Sequence, residues 1–175
     1  MRTIRVLAAV AIAVVAFDSS ASAQTMFTGS IGSSFGGDAP SSKTAWAVAL
    51  AGIGAHGIGA EIEFSETRDF FETPEGVSHG KVVSLMPALF VQVPVGPVRP
   101  YGIFGFGFLR QRTSESEGGL LSNVTNDDVG YSVGGGVIVK FAPHAGVRAD
   151  LRHFKVRTSD GLSFQRFLVG FVLGG

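Results

Sequence analysis

Three glycines in the first half of the chain have the spacing of a phosphate-binding loop. Gly52, Gly54 and Gly57 spell G-x-G-x-x-G, the pattern that holds a dinucleotide pyrophosphate where a strand turns into a helix. Such a site needs a helix beginning at the third glycine, because the helix N-terminus supplies amide donors and a positive dipole end. Residues 58–65 instead alternate between apolar and small or polar types, with the two-residue period of a strand. The motif therefore predicts a hairpin turn, and we expect no cofactor.

The histidines and acidic residues are not spaced for metal or nucleophilic chemistry. His56 and His144 lie in predicted turns. His153 lies in a predicted strand with no serine beside it, and a nucleophile needs its base within hydrogen-bond reach. No two histidines have the H-E-x-x-H spacing, and the acidic residues of 114–128 lack the D-x-D-x-D-G spacing of a calcium loop. We predict that the protein has no catalytic residue and no metal site and that it is not an enzyme.

Charged residues on two separate segments have the spacing of an ion-pair cluster inside a barrel. The first acid lies four residues after Gly57, and the first arginine lies four residues after His144, so both groups start equally far from predicted tight turns. In an antiparallel barrel of eight strands, the third and seventh strands face each other across the lumen. Opposite charges there should pair, because an unpaired buried charge is too costly to keep. The predicted cluster, which is either a structural plug or an ion gate, consists of Glu61, Glu63, Arg148, Asp150 and Arg152.

Eight alternating segments supply the elements that position these charges. Each has about the 9 to 11 residues that a tilted strand needs to cross a bilayer, and no helical pattern interrupts them. Turn residues separate consecutive segments, so a meander of hairpins is the simplest topology. The predicted strands span 26–36, 43–54, 57–70, 80–93, 100–112, 129–141, 145–157 and 163–173.

The connections between these strands alternate between two kinds. Three are tight turns, at 54–57, 94–100 and 142–145. The other four, which we predict to be longer polar loops, span 36–43, 70–80, 113–128 and 157–163. Short turns at one end and long loops at the other are typical of transmembrane β-barrels, whose loops are extracellular.

The two faces of the segments differ in character. One face carries large apolar residues, as at Phe104, Phe106 and Phe108, and would contact lipid. The other face is small or polar, as at Gly105 and Gly107, and suits the narrow interior of an eight-stranded barrel. Pro87 interrupts the fourth segment. A closed barrel has no free edge at which the missing amide hydrogen of a proline would be tolerated, so we expect a β-bulge or a strand boundary there.

The N-terminal residues have the pattern of a secretory signal. Arg2 and Arg5 precede an apolar run at 6–17, and an A-x-A site ends at Ala23. The run is shorter than the roughly 20 residues of a membrane-spanning helix. We therefore predict a cleaved signal peptide at 1–23 and a single barrel domain at 24–175.

Composition narrows the possible partners. Without the leader, 12 basic and 13 acidic residues remain of the 14 and 14 in the whole chain, so no basic field exists to attract nucleic acid. Cysteine is absent, so an exported fold must be held together without disulfides. No stretch of the mature chain has the 18 or so consecutive apolar residues of a membrane helix.

Three stretches resemble the small outer-membrane β-barrel proteins of the OmpA/OmpX-like kind. They are VRPYGIFGFGFLR, VGYSVGGGVIVKFAPHAGVRADLRHFKVRTSDG and the closing QRFLVGFVLGG. The shared pattern is a glycine run before an alternating strand, a tight turn, and a strand of mixed charges. This resemblance implies an eight-stranded antiparallel up-and-down transmembrane barrel in the outer membrane of a Gram-negative-type cell. It also implies contact with outer-membrane lipid and with the assembly machinery, which commonly reads an aromatic last residue where this chain has Gly175.

We therefore predict an exported outer-membrane barrel of structural or surface-interaction type, with long extracellular loops and a narrow lumen closed by charges. Two alternatives remain open from the sequence. One is a small gated pore. The other is a soluble periplasmic barrel of the lipocalin kind, because alternation alone does not say which face is wet. The sequence does not identify an extracellular partner.

Overall fold

The computed structural model describes residues 24–37, 39–54, 56–68, 79–117, 120–156 and 163–174, which form eight β-strands. Within these ranges, no helix is long and apolar enough to cross a membrane. The predicted leader at 1–23 and most of the predicted loops at 70–80 and 157–163 lie outside the described residues, which omit 69–78 and 157–162. The strands are β1 (Gln24–Gly36), β2 (Ala39–Ile53), β3 (Ile58–Arg68), β4 (His79–Gln92), β5 (Val98–Glu117), β6 (Leu120–Ala142), β7 (Ala145–Val156) and β8 (Ser163–Gly174).

The strands close into a single barrel. Each strand pairs antiparallel with the next, and β8 pairs with β1 from Met26 opposite Gly174 to Phe35 opposite Gln165. Gln24 and Gly174 therefore lie at the same end of the barrel as the turns that follow β2, β4 and β6. The predicted fold class, an eight-stranded antiparallel up-and-down barrel, is confirmed.

The barrel wall is apolar outside and closely packed inside. Along β8, Phe167, Val169 and Phe171 are exposed, whereas Leu168 and Val172 are buried. The same alternation runs along β5 from Pro100 to Arg110, where every second side chain is buried. Because the side-chain period of a strand is two residues, a shift of one residue would invert both faces. The predicted outward face is therefore the observed one.

Two of the predicted loops are hairpins in the structure. Strand β1 ends at Gly36 and β2 begins at Ala39, with Gly36 and Gly37 at positive φ angles of 68° and 61°, so the chain reverses tightly instead of looping over 36–43. The backbone of most of 113–128 also belongs to strands, because β5 and β6 remain paired out to Glu117 opposite Leu120. The predictions of long loops at 36–43 and 113–128 were wrong. Two polar segments can form a two-stranded ribbon by making backbone hydrogen bonds to each other. Composition alone does not distinguish such a ribbon from a polar loop.

Pro87 lies in the middle of β4 without the bulge that we expected. It pairs with Ile62 of β3, and the register between β4 and β5 is the same on either side of it, from Leu85 opposite Phe108 to Ala88 opposite Gly105. Only the two intervening positions are missing from the ladder, since proline has no amide hydrogen to donate. The predicted bulge or strand boundary was therefore wrong.

The glycine motif forms a hairpin turn, as its alternating continuation predicted. Gly57 has a φ angle of +77°, which glycine adopts without a steric penalty. Its amide donates to the Gly54 carbonyl over 3.0 Å, and β3 begins at the next residue. A Cβ at this position would collide with the Gln92 carbonyl oxygen on β4, so the glycine also allows two strand ends to approach closely.

Candidate functional site

A layer of six charged side chains crosses the middle of the lumen. Three acids and three arginines form it, and each has a relative exposure of 3% or less. Strands β3 and β7 lie opposite each other because three strands separate them in either direction around the barrel. All five residues of the predicted cluster are brought together, with one arginine added from β8. The members of this ionic layer are Glu61, Glu63, Arg148, Asp150, Arg152 and Arg166.

Glu61 contacts two arginines on the opposite side of the barrel. It accepts a hydrogen bond from Nη1 of Arg148 at 2.5 Å and another from Nη2 of Arg152 at 2.8 Å. Charge-assisted hydrogen bonds of this length are among the stronger ones in proteins. Removing this one carboxylate would therefore take a partner from two buried guanidinium groups at once.

Glu63 separates two arginines that face each other on neighbouring strands. Arg152 of β7 and Arg166 of β8 are register partners, and like charges in direct opposition destabilise a sheet. Glu63 lies 3.1 Å from Nη2 of Arg152 and 2.5 Å from Nη2 of Arg166. Nη1 of Arg166 donates to Ser65 Oγ at 2.5 Å. The acid thus offsets a repulsion that the register of β7 and β8 creates.

Tyr101 links the ionic layer to the buried ring of Phe90. Its hydroxyl donates to Asp150 Oδ2 at 2.5 Å and accepts from Nε of Arg148 at 2.7 Å. Its ring stacks on Phe90, with centroids 4.7 Å apart, and the Arg148 guanidinium lies 4.6 Å from the Tyr101 centroid. The tyrosine therefore holds the Asp150 carboxylate and the Arg148 guanidinium in place together.

Arg166 and Tyr101 were not among the predicted site residues, although the alternation of the sequence contains the signal for both. Arg166 has the opposite parity to the large apolar residues Phe167 and Phe171, and because we predicted that the large apolar face contacts lipid, Arg166 must face the lumen. Tyr101 has the parity of Gly105, which we placed inside. Both residues lie within the predicted strands at 100–112 and 163–173, so applying the alternation to every residue of these strands would have found them.

Buried apolar clusters lie on either side of the ionic layer. The cluster toward the end with the chain termini includes Met26, Ile53, Phe90, Ile103 and Ile138. The cluster toward the other end contains Val82, Met86, Leu109, Phe154, Val156 and Phe164, with Ala39. Phe154 and Phe164 stack with their centroids 4.9 Å apart. The ionic layer therefore lies between two apolar clusters.

The histidines do not converge on any site in the described part of the chain. His56 and His144 are exposed in turns, and His153 is exposed on the outer face of β7, opposite Gln165 of β8. His79 begins β4. Among the described residues, no group of three or more histidines, aspartates or glutamates could hold a metal ion.

An apolar exterior around a buried ionic interior is the arrangement of a barrel that lies in a membrane, since lipid replaces water on the outer face. Fold and lumen together define a small transmembrane β-barrel. The chain belongs to the family of outer membrane protein beta-barrel domains, whose model matches residues 4–174. Its location is therefore the outer membrane, and its outer face contacts lipid there.

Solved structures of outer-membrane proteins share the fold. Neisserial surface protein A is 13% identical, with a TM-score of 0.68 over 86% of this chain and 96% of that protein. The N-terminal barrel of Pseudomonas aeruginosa OprF is 14% identical, with a TM-score of 0.61 over 87% of this chain and 97% of that domain. Ail of Yersinia pestis is 16% identical, with a TM-score of 0.59 over 88% of this chain and 99% of that protein. No curated protein matches the sequence.

Proposed function

We propose that this protein is a non-conducting barrel whose role is structural or lies in contacts made at its outer end. The observation that carries this proposal is the buried ionic layer with an apolar cluster on either side of it. Ions cross an apolar constriction only when water enters it. A path through this lumen would require the ion pairs to separate and both apolar clusters to open.

A gated pore is the second candidate, and one feature of the ionic layer favours it. Arg152 contacts both Glu61 and Glu63, and Glu63 contacts both Arg152 and Arg166. Shared partners of this kind allow an arginine to exchange one carboxylate for another without becoming unpaired. The filled apolar clusters on both sides still argue for a closed lumen. The soluble lipocalin-like alternative does not fit, because the large apolar side chains face outward.

Purified wild-type protein in a planar lipid bilayer should produce no conductance steps. The Glu61→Ala variant should also stay silent, because the apolar clusters at either end of the lumen remain in place. Single-channel recording at several voltages measures this directly, with a porin of known conductance as the positive control. Discrete steps in the wild type that disappear in a variant of the ionic layer would favour the gated pore.

We also propose how the chain is placed in the cell. A leader at 1–23 is removed on export, the assembly machinery inserts residues 24–175, and the ends of the chain remain periplasmic. The termini share one end of the barrel with the tight turns after β2, β4 and β6, which is the periplasmic end in outer-membrane barrels. We propose no enzymatic activity, cofactor or nucleic-acid partner, since no constellation of described side chains suggests one.

Single cysteines should report this orientation cleanly, because the chain contains none of its own. Ser116→Cys at the outer end of β5 should react with an impermeant maleimide on intact cells. His144→Cys, exposed in a turn at the opposite end, should react only after the outer membrane is permeabilised. The mass of the labelled protein also reports its N-terminus, which should be Gln24. Labelling of His144→Cys on intact cells would reverse the orientation.

A further inference from the structure

A groove opens in the outer wall where the first and last strands meet. It has a volume of about 430 Å³ and is lined by residues of β1, β7 and β8, among them Gly29, Ile31, Val147, Val169 and Phe171. This volume lies at the lower end of the roughly 300 to 1,000 Å³ of small-molecule sites. We call it the Gly29 groove.

The groove exists because one outward position lacks a side chain. Gly29 lies opposite Phe171 on β8 and opposite Val48 on β2, and Phe27 and Ile31 flank it along β1. A Cβ added at Gly29 would meet nothing within 4 Å. Phe171 and Ile31 are 69% and 65% exposed and form ridges on either side. The result is a depression bordered by large apolar side chains.

The position of the groove identifies the kind of molecule that fills it. The surrounding wall is the face that lipid covers, so the groove is continuous with the protein–lipid interface. A flexible apolar chain lying in it would gain dispersion contacts from three strands, which a flat part of the wall does not offer. No charged side chain lines it, so its walls offer no ionic contact to a headgroup.

We propose that the Gly29 groove binds one acyl chain of a membrane phospholipid, which stays bound longer than the other lipids around the barrel. The uncharged lining of the groove favours a hydrocarbon chain. The side chain missing at Gly29 is what makes the site, so filling that position should weaken binding without changing the lumen.

The single tryptophan of the chain is a built-in reporter. Trp46 lies directly opposite Ile31, one of the groove residues, on the neighbouring strand. A phospholipid with brominated acyl chains, titrated at low concentration into protein in detergent micelles, should quench Trp46 in a saturable way that levels off at one lipid per protein. The matched non-brominated phospholipid provides the reference intensity.

Two glycine variants separate the groove from the rest of the wall. Gly29→Phe should raise the lipid concentration for half-quenching by about tenfold or more, equivalent to about 1.4 kcal/mol of binding free energy. Gly102→Phe should leave it unchanged, because Gly102 is also an exposed position with nothing within 4 Å of an added Cβ but lies on β5. Unboiled gel mobility shows that each variant is folded, and Gly29→Leu serves as a smaller replacement.

Four results would overturn the proposal. Quenching of the wild type that rises linearly with lipid would mean that no chain is retained. Equal effects of Gly29→Phe and Gly102→Phe would mean that the groove is not the site. Equally tight, saturable quenching by the brominated free fatty acid would make a fatty acid, and not a phospholipid, the ligand. Wild-type dimers that Gly29→Phe converts to monomers in sedimentation would assign the groove to a second copy of the chain.

Discussion

Replacement of Glu61 and Glu63 by alanine is expected to lower the thermal stability of the barrel markedly. The double variant leaves Arg148, Arg152 and Arg166 with Asp150 as the one remaining acid of the ionic layer. Breaking a buried ion pair from one side typically costs about 3 to 5 kcal/mol, because a charge is left without a partner. For a domain of this size, that loss lowers the midpoint by on the order of 10 °C. The temperature at which the compact unboiled gel form disappears measures it.

Two further variants test the cause of this loss. Adding Arg148→Ala and Arg152→Ala to the double variant leaves one arginine and one acid, so part of the stability should return, as a double-mutant cycle would show. Glu66→Ala is the matched control on the same strand. Glu66 pairs with Arg68 at 3.0 Å on the outer face, where such pairs contribute about 0 to 1 kcal/mol. Additive losses in the fourfold variant would contradict charge coupling between β3 and β7.

Gly136→Ala is expected to have the second large effect, although it adds a single methyl group. The new Cβ would collide with the carbonyl oxygen of Ala149 on β7 and would lie 2.5 Å from the Tyr101 hydroxyl oxygen. Overpacking of this kind typically costs about 1 to 3 kcal/mol. Displacing Tyr101 also weakens its hydrogen bond to Asp150, and a hydrogen bond to a charged group contributes about 1.5 to 3 kcal/mol. The yield of compact barrel after refolding into detergent should fall.

Gly102→Ala is the control for this substitution. Gly102 lies on the outer face of β5, and an added Cβ would meet nothing within 4 Å. Its refolding yield should match that of the wild type, because both variants change glycine to alanine within a strand and carry the same backbone entropy term. Equal losses in the two variants would mean that strand propensity, and not space inside the lumen, decides the outcome.

The inside and outside of the barrel follow from the sequence because a strand has only two faces. Counting residues from a tight turn also placed Glu61 and Arg148 at one depth, and the structure joins them at 2.5 Å. Both inferences depend on periodicity, which survives small errors in strand boundaries. The third arginine follows from the same rule, because Arg166 lies within the predicted strand at 163–173 and on its inward face.

The strand ends and the hydrogen-bond ladder were harder to predict. Residues 113–128 are polar and read as a loop, but pairing between β5 and β6 keeps most of them extended. Such pairing depends on the neighbouring strand, which a local pattern does not contain. Pro87 interrupts the ladder without shifting the register, because the neighbouring pairs hold both strands in place. These features arise from tertiary structure.

The ionic layer also has a consequence for the order in which the protein matures. Glu61 and Glu63 lie on the third strand, and the arginines that bind them follow 87 to 103 residues later, on the last two strands. Contacts between such distant parts of a chain form late, because the entropy of closing a long loop must be overcome first. An unfinished chain that lacks its last two strands carries two uncompensated carboxylates. Pairing of the buried charges therefore coincides with closure of the wall, and only a complete chain has an ionic layer without net charge.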